Sequence, residues 1–506
     1  MSDGESQGSL GEVADESVEQ TGPADSSAFI YVDIGSIDRD QKRIAQAQTI
    51  SVGNAPSRAR QRLRAGDVLV SMTRPNLNAV AIVPPDLDGA IGSSGFHVLR
   101  SKHMEPQYLY FLVQSQEFVD AMCAVVQGAL YPAVRPSDIV AFAMRVPSRT
   151  EQTRIVDKLE ELLSDLDAGV AELKAAQKKL VQYRQSLLKD AMEGRLTEAW
   201  RAQHGEPEES GAQLLARILR ERRARWEAKQ LAKFETQGKA PPKGWQDKYP
   251  EPMTLDVSHL PELPRGWVWA SLDMLIDDGP QNGLYLPGDR YGRGCPILRI
   301  DDFQNGWARS REELNLVEVD AVTLATYSLA EGDLVVNRVN SMTHLGKTLI
   351  VNAGLGGTLF ESNMMRFSLS AGASPQYVGA YLGSELGRKR LIRDAKWAVN
   401  QASINQQDVK RTPVPLPPVG EQSAVVRIVS SALSDAADQE SATVLALRQC
   451  AAQRKNILQA AFSGQLVPQD PNDEPASALL ERIRAERAAR THAGTRKPRP
   501  KRRGAA

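Results

Sequence analysis

The sequence predicts an α+β chain: two mixed α/β domains separated by two long helices that form an antiparallel coiled coil. Three observations carry this. Blocks of sequence recur in the same order at a nearly fixed offset: RLRAGDVLVSM around Asp67 returns as SLAEGDLVVNR around Asp333, and VPSRTEQ ending at Gln152 returns as LPPVGEQ ending at Gln422. Leucines then recur every seven residues after the first of these helix starts. Finally, 506 residues exceed what one core can serve and ask for about three folding units. From 151 to 196, 12 of 46 pairs are identical to the segment beginning at Glu421, and the preserved order of the matched blocks makes the chain an imperfect tandem duplication.

Taken in order, residues 1–26 form a Ser-, Glu- and Asp-rich leader expected to be disordered. Residues 27–147 carry short β-branched runs bounded by Gly, Pro and Asn, then a helical stretch, which reads as a mixed domain. Residues 148–196 are one helix capped by Ser148 or Thr150 and ended by Gly194. Its heptad seam is Leu159, Leu166, Leu173, Leu180 and Leu187, interleaved with Ile155, Leu162, Gly169, Ala176 and Tyr183. Residues 197–262 are a connector, with a charged helix over 211–234 and a Pro-rich extended linker behind it. A second mixed domain spans 263–418, and its helix spans 419–467 with a smaller seam of Val425, Val429, Ala436 and Ile457. Large leucines facing small alanines make the second helix the expected partner of the first; the alternative lays each helix on its own domain. Residues 468–506 end in a further helix and the basic tail TRKPRPKRRGAA.

Chemistry is mostly missing. Sixty-two basic residues balance 62 acidic ones, so net charge argues for no partner. Cys123, Cys295 and Cys450 lie far apart, the usage of a reducing compartment, and no CxxC offers a metal site. The acidic start has no apolar core for a secretory signal, and no apolar run reaches membrane length, so a cytoplasmic protein without membrane contact is expected. GKT at Gly346–Thr348 lacks the upstream Gly of a phosphate loop and falls where the first repeat has NAVAIV, so it reads as a strand. No GxGxxG opens a helix, and the six histidines are scattered. No catalytic or metal-ligating set is expected. Arg58, Arg60, Arg62 and Arg64 alternate along an extended segment, either a solvated edge or a phosphate comb. Two related modules on a helix of some 60 Å suit a ligand with two features at fixed separation, and duplex DNA, with its ~34 Å repeat, is the obvious one.

LPRGWVWASL opening a domain, EGDLVVNR in its middle, PLPPVGEQSAVVRIV leading into a long helix and KNILQAAFSGQL closing it resemble the specificity subunit of type I restriction-modification systems. RAGDVLVS, VPSRTEQTRIVDKLEELL and RQSLLKDAMEGRL repeat those landmarks in the first half. The resemblance implies two target recognition domains, each reading half of a bipartite asymmetric DNA site. The spacer helices would dock methyltransferase subunits, expected to be two, and restriction/translocase subunits. S-adenosylmethionine, ATP and Mg2+ would belong to those partners, with no cofactor in this chain, and the biological setting would be phage defence. Polar and basic loop residues are the candidates for DNA contact, because Arg, Asn and Gln read base edges and Lys holds phosphates. In the first domain they are Arg74, Asn76, Asn78, Tyr131 and Arg135; in the second, Asn337, Arg338, Asn340, His344, Lys347, Arg388, Lys389, Lys396, Asn400 and Gln401. The first repeat shows no match to LPRGWVWASLDMLIDDGPQNGLYLPGDRYG, so its domain is expected to be N-terminally incomplete. That leaves two alternatives open: a protein-binding scaffold with degraded DNA recognition, or a reader of one half-site.

Overall fold

The computed structural model describes residues 7–14, 16–22, 27–127, 132–304, 306–398 and 401–494. The chain divides into two compact units, Met1–Ala175 with Thr443–Ala506, and Ala176–Ala442. Both are assembled from the same parts: a mixed domain, the first part of the long helix that follows it, the last part of the other long helix, and the shorter helix trailing that one.

In the first unit, strand Val68–Ser71 lies between Phe96–Leu99 and Val80–Ile82, antiparallel to both. Ala28–Val32 lies between Gln48–Ser51, antiparallel, and Ile91–Ser93, parallel. The Gly-Asp turn ahead of the central strand fixes its register. Gly66 takes a left-handed φ of 85°, and buried Asp67 accepts bonds from the Arg64 backbone at 2.7 Å and from the Arg100 guanidinium at 2.6 Å. The second unit repeats the design with Leu334–Asn337 between Met364–Leu369 and Thr348–Ile350. There Arg366 stands 3.8 Å from Asp333, too far to offset desolvation, so burial pushes that carboxyl up. Thr348–Ile350 is the strand expected at GKT.

The two long helices, Arg149–Met192 and Val419–Phe462, have 44 residues each. A Glu-Gln pair anchors both starts. Gln152 accepts from the Glu105 backbone at 2.8 Å and donates to the Pro147 carbonyl; Gln422 accepts from Ser374 at 2.8 Å and donates to Pro417. The glutamates are also buried, Glu151 against Arg145 at 2.7 Å, Glu421 among Thr197, Arg201 and Trp267. The helices pack antiparallel: Asp167 pairs with Arg454 in the first unit, and Arg184 with Glu440 in the second.

The seam is narrower than a strict heptad implies. Ile155 and Leu159 are fully buried in the first core beside Leu163; toward the other end Leu187 is buried, and Ala191 and Met192 enter the second core. Val425, Val429, Ala436 and Ile457 are buried too. Between the ends, Leu162, Leu166, Leu173 and Leu180 are half-buried. Tyr183 is 48% exposed, and its neighbour Arg184 reaches across instead. A straight helix drifts about 20° per heptad, so four heptads carry Tyr183 off the face that Ile155 occupies.

Two expectations are corrected. The leader contains folded structure: Gln7–Ser9 pairs with Ala143–Arg145, and the turn Leu10–Val13 follows with Leu10 and Val13 fully buried. Ser9 and Glu12 cap it reciprocally, a capping box that its acidic composition conceals. The second domain opens identically, with Val268–Ser271 pairing with Pro413–Leu416 ahead of Leu272–Leu275. GSLGEV therefore matches ASLDML, and the first domain shares this opening. What it lacks, among the described residues, is a counterpart of Ile276–Asn282, the fourth strand beside Met364–Leu369. The linker is not extended either. Trp245 stacks 5.8 Å from Trp226, and Tyr249 sits edge-on at 5.4 Å, folding the chain back on helix Gly211–Thr236.

Each trailing helix packs where the apolar pattern places it. Leu214 and Ile218 enter the second core, and Leu479, Leu480 and Ile483 the first.

Candidate nucleic-acid interface

In each domain, the loop following the central strand meets a hairpin from further along the chain. In the first, Thr73 and Gln127 both bridge to Ala133, and the Arg74 backbone donates to the Pro132 carbonyl at 2.8 Å. In the second, Val339–Asn340 pairs with Gln401–Ser403, which pairs with Lys396–Ala398. The register is equivalent: Thr73, Gln127 and Ala133 stand where Val339, Lys396 and Ser403 stand. Candidates chosen from sequence therefore converge on one location, once per repeat.

The first loop holds an unusual backbone. Arg74 (φ 48°) and Asn78 (φ 42°) flank the single turn Pro75–Leu77, both left-handed. Lys42, from the turn between Ile37–Asp38 and Arg43–Ile44, is left-handed too (φ 53°). Among the described residues these are the three non-glycine residues with positive φ, and all three belong to this corner. Each such conformation costs about 1–3 kcal/mol and persists only where surrounding contacts over-determine it. Here Nζ of Lys42 donates to the Asn78 carbonyl at 2.5 Å, and Tyr110 donates to the Lys42 carbonyl at 2.8 Å. Burial, aided by the charge of Arg454, pushes the Lys42 ammonium down to about 8. Arg74 and Asn76 are exposed and Asn78 half-buried. Arg135 is exposed but donates to Gln127 at 2.7 Å, bracing the hairpin base. Tyr131 lies outside the described residues.

In the second domain His344, Lys396 and Gln401 are exposed, and Asn340 and Lys347 half-buried. Arg338 donates to the Ser362 carbonyl at 3.1 Å. Arg388 reaches the loop from helix Glu385–Leu391, donating Nε to Leu345 O at 2.8 Å and Nη2 to Met342 O at 2.5 Å, and burial lowers its pKa. Its guanidinium is thus engaged with the loop backbone. Lys389 is exposed and pairs with Glu385 at 2.6 Å. Asn337 is a correction: as an inward position of the central strand it is fully buried, with neither side-chain polar atom bonded, and cannot touch a groove. Asn400 lies outside the described residues.

Lys42 and Trp397 are functional candidates the sequence reading missed. Trp397 is 70% exposed beside Lys396, and a large exposed aromatic in a polar hairpin was the available signal. Nothing local marks Lys42, whose partner lies 36 residues away. Arg58, Arg60, Arg62 and Arg64 are exposed along one edge, and residues 19–21 bond to that strand's backbone. Among the described residues no cluster of His, Cys, Asp or Glu could hold a metal ion.

No protein-family model matches the chain. Curated relatives do. It is 26% identical over 392 residues to the type I restriction enzyme EcoKI specificity subunit of Escherichia coli K12, covering 76% of this chain and 72% of that one. It is 25% identical over 409 residues to the EcoDI specificity subunit of Escherichia coli (78% and 79% covered), and 26% over 399 residues to the StySPI specificity subunit of Salmonella potsdam (76% and 73%). A chain from a solved structure concerned with complex assembly and conformational transition of the type I R-M system superposes with a TM-score of 0.68, at 24% identity, covering 91% of this chain and 98% of that one. The fold shared with it is a scaffold of two mixed domains with paired long helices. Over about three quarters of its length the chain is thus similar to type I restriction enzyme specificity subunits.

Proposed function

We propose that this chain is the DNA-reading subunit of a type I restriction-modification complex in the cytoplasm. The boundaries are those expected from sequence, with residues 7–13 added to the first recognition domain. Each domain reads one half of a bipartite, asymmetric site through its loop and hairpin. The long helices dock methyltransferase subunits and motor/nuclease subunits, which bring S-adenosylmethionine, ATP and Mg2+. The observation that carries this reading is the repetition of one polar loop-and-hairpin corner in both domains. Such corners offer Arg, Asn, Gln and Lys side chains, the groups that pair with base edges and phosphates. The rival reading of degraded DNA recognition leaned on a missing domain start; folded Gln7–Val13 supplies the opening of that start, and the counterpart of Ile276–Asn282 is what the first domain still lacks among the described residues. No helix of the described residues is long and apolar enough to cross a membrane.

The test is a methylome of the host with and without this gene. A bipartite methylated motif that disappears on deletion supports the reading. Loss of a continuous motif, or of none, refutes it.

A further inference from the structure

The two corners are braced by different residues doing one job. Strand pairing makes Asn78 and Gly346 equivalent, since Val70 opposes Val80 as Val336 opposes Thr348. Both are left-handed, at φ 42° and 75°. At or just before that residue, a cation from a remote segment bonds a loop carbonyl: Lys42 to Asn78 O, Arg388 to Leu345 O and also to Met342 O. Among the described residues neither cation has a carboxylate partner within ion-pair distance.

The brace has changed element between repeats. Ser115 and Ser384 cap equivalent helices, which puts Val119 where Arg388 stands. The hairpin carrying Lys42 corresponds to Phe303–Gln304 with Trp307–Ala308, which puts Gly306 where Lys42 stands. A feature rebuilt from different parts at the same spot points to a requirement of the spot. Packing does not supply that requirement for Lys42, because burial penalises the ammonium and an apolar chain of the same length would desolvate more easily. The strained backbone at Arg74 and Asn78 needs an external tie, and the side chains it presents, Arg74 and Asn76, face solvent.

We propose that Lys42 is a positioning residue that fixes the 74–78 loop for reading bases without itself touching them, and that Arg388 does the same for the 338–347 loop. This rests on the DNA-reading function above. Rigid presentation sharpens discrimination because a bidentate base contact tolerates little displacement.

The experiment selects a randomised-duplex library on the full chain co-expressed with its own modification subunits, for wild type, Lys42→Met, Lys42→Arg and Arg388→Met. Wild type enriches two sequence elements. Lys42→Met weakens discrimination at one of them roughly ten-fold and leaves the other sharp, with a melting temperature no lower than wild type. Arg388→Met weakens the other element. Lys42→Arg, which keeps a donor, stays close to wild type. A Lys42→Met protein that reads both elements sharply, blurs both equally, or melts far below wild type overturns the positioning role. Wild type enriching no sequence overturns the DNA-reading function and this proposal with it, an outcome visible before any variant is compared.

Discussion

The two mixed domains share a scaffold and differ in how they hold their loops. The second uses glycine where the chain turns left-handed, at Gly346, and a guanidinium with two carbonyl partners. The first keeps Lys42, Arg74 and Asn78 in that region of backbone space and ties the loop with one ammonium. Duplication preserved the strand register, the Gly-Asp turn and the Glu-Gln helix start, all of which serve the core. It left free whatever reaches the loops. Divergence therefore gathers at the loops, and similarity marks the support.

The largest effect that tests this contrast is on specificity. Exchanging residues 264–415 for the corresponding domain of a relative is expected to change one half of the methylated motif completely and leave the other unaltered, as read by methylome sequencing. A change in both halves would show that the corners do not read independently.

Next comes the contrast between ends and middle of the long helices. Leu159→Asp buries a charge in the first core and is expected to cost more than about 4 kcal/mol in a urea melt. Leu173→Asp, at a half-buried position, is expected to cost about 1–2 kcal/mol. Equal losses would mean that the seam is sealed along its length.

The helix starts give a smaller difference. Glu421→Ala strands Arg201, Thr197 and Trp267 and is expected to cost about 3 kcal/mol; Glu151→Ala strands Arg145 alone and is expected to cost about half that. The smallest concerns the loops. Gly346→Ala puts a Cβ 2.8 Å from Ile392 at φ 75° and is expected to lose about 2 kcal/mol. Asn78→Gly, which relaxes its left-handed site while freeing the unfolded chain, is expected to stay within about 1 kcal/mol of wild type.

Much of this architecture was legible from sequence because it is periodic or repeated. The leucines gave the long helix, and matched blocks gave the second domain from the first. Two kinds of information were not. Leu10 and Val13 are only two apolar residues among acidic ones, and their role depends on strand Ala143–Arg145, more than 130 residues away. Composition cannot show that. Among candidate contacts, Asn337 and Arg388 have the right chemistry at the right loop, but burial of the first and backbone bonding of the second follow from which way each points. Residue type gives capability; only the fold gives direction.

The assembly of each unit from parts of both repeats also sets an order of events during synthesis. The second unit is a continuous stretch, Ala176–Ala442, and has all its parts once that stretch has left the ribosome. The first is emitted earlier yet needs Leu458, Ala461, Leu480 and Ile483 to cover the face made by Leu10, Ile155 and Leu159. At ~5–20 residues per second, the more than 300 residues between Ala175 and Ile483 take roughly 15–60 s. For that interval the nascent first domain leaves the face made by Leu10, Ile155 and Leu159 uncovered. A chain stopped at Ala442 is accordingly expected to keep its second unit protease-resistant and lose its first.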